Sequence, residues 1–352
     1  MHCIDVGVTK RMILCHMSKK KRFFESVKNC NIVMNDMKNF KFPKEIPRNP
    51  RCLKNVNKFK ANEFSFFLLY IAPLIYHNRM ASAHYSHFFS YCFFIGNLLK
   101  KNISKKLLNF CRVLIQNFVR KIVELYDISE MTINVHLLLH LPEMIKQVGS
   151  LSCIDSYFFE DMNRILKAHT FGSTNIIFQA MFKNNIQFSI YLDSLSTNSQ
   201  ISNTNFEKKL KIRKPLETQF KKLFKNHKNI PKFQFSTFKC NDKYLTSETY
   251  EKKKKSCNYV VKFKRNFFFI HCFVMSENEI YAIGRFAMKT SNPQETISIH
   301  RMEFEMKIDW IHEVKLDKKF HILKIDALEQ KVGLYQRDSQ YFCIDLFYSS
   351  AF

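Results

Sequence analysis

His136 and His140 stand four residues apart in NVHLLLHLPEMIKQVG, and Glu160 follows in SYFFEDMN. Imidazoles at i and i+4 of a helix project from one face, so this pair can present two nitrogens to a single zinc ion. A structural zinc takes four ligands, and the eleven cysteines never fall in C-x-x-C spacing. His84, His87 and Cys92 are the other ligands to consider. No glutamate follows the first histidine, so the H-E-x-x-H protease pattern is absent. On residue type alone, two histidines packed into or capping a helix are the competing reading. Glu160 also reads two ways: an exposed acid after an aromatic pair, or a helix start, where carboxylates favour the positive end of the dipole. Two-metal phosphoryl transfer needs several carboxylates converging on ions about 3.5–4 Å apart, which one acid cannot supply. The six glycines form neither G-x-G-x-x-G nor G-x-x-x-x-G-K, which excludes those phosphate-cradling loops.

The elements that must position these residues read as mostly helical over 1–193. Ser104 can cap a helix through KKLLNFCRVLIQNFVRKIVELYD, where Leu107, Cys111, Leu114, Phe118, Ile122 and Leu125 recur at steps of three and four. After DISEMT, Thr132 can cap the helix that carries His136 and His140, and Pro142 either kinks it or opens a new first turn. A further amphipathic helix begins near Phe159, with Met162, Ile165 and Leu166. The polar SLSTNSQISNTN marks a boundary at 194, and 194–231 is a polar linker followed by a basic, partly helical arm. From about Lys232 the periodicity alternates, and 232–352 is predicted to be a small antiparallel sheet or barrel. Its alternating Phe and Tyr suit a core or a platform for stacking bases, the core being the commoner use. The fold class is therefore α+β.

Composition narrows the partners. With 56 Lys and Arg against 30 Asp and Glu, the formal charge is +26, which favours a polyanion; codon drift toward Lys and Asn accounts for part of it. The phosphate-binding candidates are Lys19, Lys20, Lys21 and Arg22; Lys208, Lys209, Lys211, Arg213 and Lys214 in the arm, which reads equally as a solvated connector; and Lys252, Lys253, Lys254 and Lys255. Scattered cysteines and the lack of a signal peptide point to reduced thiols in the nucleus or cytosol. The aromatic runs Phe64–Tyr76 and Tyr85–Leu99 fall short of the roughly 20 apolar residues of a membrane span and read as buried helices. No membrane partner is expected.

Several ordered blocks resemble one family. NVHLLLHLP, the glycine after it and FED are similar to the C-terminal part of the catalytic region in CACTA-type DDE transposases and transposon-derived proteins. MHCIDVGVTKRMI resembles that family's D-x-M-H-x-x-x-L-G-V block, and FPKEIPRNPRCLKNVNKFKANEFSFFLLYIAPLIY resembles its I-P-R-x-P-R-x-L and K-x-W-K-A-S-E-F-R-x-F-L-L-Y stretch. The likeness covers residues 1 to about 178. ENEIYAIGRF and KIDALEQKVGLYQ look similar to the β tail of the same proteins, and HLPEMIKQVGSL resembles a segment of the immune-receptor recombinase, another DDE enzyme. The resemblance implies that His136 and His140 belong to a zinc site and that Glu160 is the third acid of a DDE triad. It also implies a fold: the back end of a split RNase H-like domain with a helical insertion, followed by the β domain.

The departures carry equal weight. Phe59 and Ser152 stand where the family commonly has tryptophan, and the block's own Asp is missing. The first two acids and the remaining zinc ligands of the family lie in sequence that precedes this block. The expectation is a truncated, transposon-derived protein, catalytically inactive, with a vestigial Glu160 and residual, weakly sequence-specific DNA binding. Zinc is the expected cofactor, and a divalent metal only if the triad is completed elsewhere. The alternatives are a fragment of an active transposase completed from upstream or by a partner, and a structural protein-interaction module. A homodimer or a transposase partner is a further expectation.

Overall fold

A computed structural model describes residues 2–18, 23–24, 26–46, 51–154, 157–171, 174–197, 205–211, 221–222, 224, 231, 233–240, 243–251, 254, 256–276, 279–299 and 302–346. A π-helical segment, Cys3–Thr9, runs into α1 (Lys10–His16) and is followed by α2 (Val27–Asp36) and α3 (Ala61–Phe66). Then come α4 (Ala72–Ile75), α5 (Ser82–Leu98), α6 (Lys105–Leu125), α7 (Ile133–Leu137), α8 (Leu141–Val148), α9 (Tyr157–Ala168) and α10 (Ile176–Thr197). The expected α6 stripe faces inward: Cys111, Leu114, Phe118 and Ile122 are buried, and Ser104 Oγ accepts from Leu107 N at 3.2 Å. Thr132 occupies the N-cap of α7 without a side-chain capping bond. Pro142 lies in the first turn of α8, where its missing N–H has no helical carbonyl to meet.

The strands are β1 (Phe40–Lys41), β2 (Asn205–Lys211), β3 (Phe233–Cys240), β4 (Lys243–Thr246), β5 (Val260–Phe263) and β6 (Asn266–Ser276). They continue with β7 (Glu279–Ser291), β8 (Gln294–Ile299), β9 (Met302–Lys307), β10 (Ile311–Leu316), β11 (His321–Lys324), β12 (Gly333–Arg337) and β13 (Gln340–Ile344). One antiparallel sheet runs β1-β12-β13-β10-β7-β6-β3-β2, with β11 on β7, β4 on β3 and β5 on β6; β8 and β9 form a separate hairpin. The chain is α+β. Two segments differ from the sequence reading of the linker and arm: α10 continues to Thr197, and Asn205–Lys211 pairs with β3 as an edge strand, Phe206 opposite Phe238 and Leu210 opposite Gln234. Pairing satisfies backbone groups that a solvated arm leaves to water, and no local propensity reveals it.

Helices and sheet share one hydrophobic cluster. It joins Phe64, Phe67, Phe88, Phe94 and Phe118 to Ile297, Met306, Trp310, Ile311, Tyr335 and Ile344. The single tryptophan is the clearest link: Trp310 Nε1 donates to Leu69 O at 2.9 Å, and its ring lies where a Cβ on Gly96 would come within 2.2 Å of it. Only glycine lets α5 approach so closely. In the other direction the helical half supplies β1, and Phe40 stacks on Tyr335 with ring centroids 4.1 Å apart. No helix among the described residues is long and apolar enough to cross a membrane.

Candidate functional site

Val135, Leu138, Leu141 and Ile145 are buried, and that face decides how the His136–His140 segment sits. With those side chains inward, His136 and His140 face solvent, although a 3-10 turn (Leu138–His140) interrupts the α-helical course between α7 and α8. Their ring centroids are 5.3 Å apart at an interplanar angle of 74°. The pair is thus neither packed into the core nor separated, and two imidazoles share one exposed face. Beside them Arg112 Nη2 lies 3.1 Å from Glu143 Oε2, and Lys146 Nζ 3.4 Å from Glu143 Oε1, tying α8 to α6 at the surface.

The N-terminal block is brought against the start of this segment. Gly7, in the π-helical segment, approaches Asn134 so closely that a Cβ would come 2.6 Å from its Cγ. Cys3 Sγ donates to Asn134 O at 3.4 Å, and Arg11 reaches Glu130 Oε2 at 2.6 Å and Ser129 O at 2.9 Å. Arg51, the last residue of IPRNPR, is joined to KANEF as well. Arg51 Nε and Nη2 donate to the two oxygens of Glu63 at 3.0 and 2.9 Å, and Lys60 N donates to Glu63 Oε2 at 2.9 Å. The Glu63 carboxylate is fully buried, so this fork holds the loop before α3.

Glu160 is exposed in the first turn of α9, at the end where a carboxylate complements the helix dipole. Among the described residues no group of three or more His, Cys, Asp and Glu side chains could hold a metal ion. His136 and His140 are two nitrogen donors where a structural zinc takes four ligands, so the pair alone does not make a closed site. Of the basic candidates, Lys208, Lys209 and Lys211 lie on β2 at the edge of the sheet. Lys254 Nζ sits 3.5 Å from the centre of the Tyr250 ring. Lys19, Lys20, Lys21, Arg22, Arg213, Lys214, Lys252, Lys253 and Lys255 lie outside the described residues.

The spare ligands named from sequence serve elsewhere. His84, His87 and His16 surround Tyr126, with ring centroids 5.5, 5.4 and 5.7 Å from it. His87 stacks on Phe118 at 4.3 Å, and its Nε2–H donates to the Phe118 carbonyl at 3.0 Å. Because a carbonyl only accepts, the proton is on Nε2, and Nδ1 is left without a partner. Burial pushes both His16 and His87 down to about 3, the neighbouring histidines adding to the effect at His16 and the Phe118 bond partly offsetting it at His87. Both rings are neutral near pH 7, which suits an aromatic core better than proton transfer. Sequence reasoning did not single out His16, whose surroundings come from four separate segments.

A second polar cluster was also missed. Asp345 Oδ2 accepts from Lys262 Nζ at 3.0 Å and faces His312 Nε2 at 3.4 Å, while Lys289 Nζ stands 3.2 Å from the same imidazole nitrogen. Burial pulls the Lys289 ammonium down; it also raises Asp345, but hydrogen bonds from His312 and Lys262 outweigh this and leave that carboxyl below its usual range. Charges of both signs meet within the cluster, with Asp345 Oδ1 left without a hydrogen-bond partner, and it reads as a sheet-centre network.

No protein-family model, curated protein or solved structure matches this chain.

Proposed function

We propose that the chain is a transposon-derived protein, related to the back end of a CACTA-type DDE transposase and its split RNase H-like domain, that binds DNA through phosphate contacts and does not cut or join it alone. The observation that carries this reading is the docking of the resembling blocks on one another: MHCIDVG on NVHLLLH through Gly7 and Asn134, and IPRNPR on KANEF through Arg51 and Glu63. Segments with a shared ancestry are expected to keep such mutual contacts. The excess of 56 Lys and Arg over 30 acids supplies the attraction to phosphate, which is largely independent of base sequence. The resemblance carries over one acid, Glu160, and one carboxylate cannot hold the two metal ions of the chemistry. Mobility shifts with duplex and single-stranded DNA test the reading. Binding at about 50 mM salt that weakens steeply toward 200 mM supports it, with Glu160→Gln equal to wild type.

The exposure of His136, His140 and Glu160 favours a second reading, in which another polypeptide supplies the remaining acids and zinc ligands. Zinc bound by the chain alone at near-stoichiometric level, and lost in His140→Ala, would show instead that this chain completes the site.

A further inference from the structure

Helix α10 is the largest apolar surface that the described residues leave open, with Ile177 and Phe178 each 73% exposed and Phe188 61% exposed. It is not a loose tail. Gln179 Oε1 accepts from Phe171 N at 2.7 Å while its Nε2 donates to Thr174 O at 2.9 Å, and His169 Nδ1 stands 3.1 Å from Asn184 Oδ1. These bonds fix the start of α10 against the end of α9.

The order of residues along the helix says what covers it. About the Asn184–Asn185 peptide the pattern is two-fold: Met181 is as far on one side as Phe188 on the other, and Ile177–Phe178 as Tyr191–Leu192. At 3.6 residues per turn these eight positions fall within an arc of roughly 140°, a single face. Two antiparallel copies place residue i against j and j against i, which is the requirement of a closed two-fold contact. We infer that α10 is a self-association surface, on which two copies of this chain pair antiparallel with Met181 on Phe188 and Asn184 on Asn185 of the second copy.

Three observations favour a second copy over other occupants. The face carries no charge, because the helix's only charged residues, Lys183 and Asp193, fall outside it, so two chains of charge +26 can meet there without opposed cations. A lipid surface is expected to select a helix with many Lys and Arg on the opposite face, and α10 has one. Covering the exposed side chains removes on the order of 600 Å² per copy, about 1,200 Å² in total, the lower end of specific interfaces. Asn185, and the Nδ2 that Asn184 keeps while its Oδ1 holds His169, then set the register, as single polar residues do in coiled-coil seams.

Ile190 supplies the control, since it is 62% exposed on the opposite side of the same helix. Sedimentation equilibrium of the full chain at about 0.15 M salt, over a wide concentration range, reads the association. The expected result is a monomer–dimer equilibrium that Phe188→Glu and Met181→Glu each weaken by about 100-fold or more, while Ile190→Glu stays within a few-fold of wild type. A chain that remains monomeric overturns the inference. So does a dimer that Ile190→Glu disrupts as strongly as Phe188→Glu, or one that neither Phe188→Glu nor Met181→Glu affects. Monomeric protein that co-sediments with anionic vesicles would assign the helix to lipid instead.

Discussion

Helices α5 and α10 are both rich in phenylalanine and other apolar side chains, yet they occupy opposite surroundings. Every residue of α5 from His87 to Leu98 is buried, whereas Ile177, Phe178, Met181, Phe182, Phe188 and Ile190 of α10 are exposed. A helix with apolar residues on more than one side can bury any of them, so its neighbours decide which are covered. Around α5 those neighbours are present: α6 stacks Phe118 on His87, the β8–β9 hairpin lies alongside, and Trp310 closes on Gly96. Around α10 the described bonds run to the segment that follows α9, through Gln179 and Asn184. Apolar content alone therefore does not distinguish a core helix from an interaction surface; the number of surrounding elements does.

The contrast can be broken most forcefully at its strongest point. Trp310→Ala removes a buried ring and leaves the Leu69 carbonyl without its donor, so a loss of about 3–5 kcal/mol is expected in the urea unfolding free energy. Phe188→Ala on the exposed helix is expected to change monomer stability by less than about 0.5 kcal/mol. Equal losses would show that α10 is as much a core helix as α5.

Next in size is the fork between Arg51 and Glu63. Arg51→Ala leaves the buried Glu63 carboxylate without its cation and is expected to cost about 3 kcal/mol, since breaking one side of a buried pair is far worse than never having it. Arg51→Lys keeps the charge but not the two parallel bonds and is expected to recover only part of the loss. Full stability in Arg51→Ala, by the same urea midpoint, would remove the fork from the account.

The histidines around α5 sharpen the comparison through pH. His16 and His87 take a proton only at about pH 3 when folded, whereas an unfolded chain takes it near 6.5. Their contribution is complete above pH 6.5 and is lost as pH falls toward 3. Below about pH 6 each histidine lowers stability by up to about 1.4 kcal/mol per pH unit. His87→Phe is expected to flatten the stability profile between pH 6.5 and 5, and an unchanged slope would contradict the buried, neutral ring.

Much of this was legible from local pattern. Leu114, Phe118 and Ile122 announce the buried face of α6 by their spacing, and Ser104 announces its cap. The antiparallel sheet of the C-terminal half reads from its runs of apolar residues and turns, although β6 is buried on both faces and shows no strict period of two, and 297–306 turns back on itself as the β8–β9 hairpin. What was not legible depends on partners distant in sequence. A two-residue strand such as Phe40–Lys41 has no period, and β2 exists through its pairing with β3. The exposure of His136 and His140 could be expected only once Val135, Leu138 and Leu141 were known to be the inward face. Their spacing showed that the two rings share a side, not which side it was.

The measurement closest to the central claim is the salt dependence of DNA binding by the full chain. The expected result is binding of duplex DNA at about 50 mM salt, with log affinity falling linearly in log salt, a slope of magnitude about 5 or more, and little preference among sequences. Absence of binding at that salt, or a slope near zero, would contradict it.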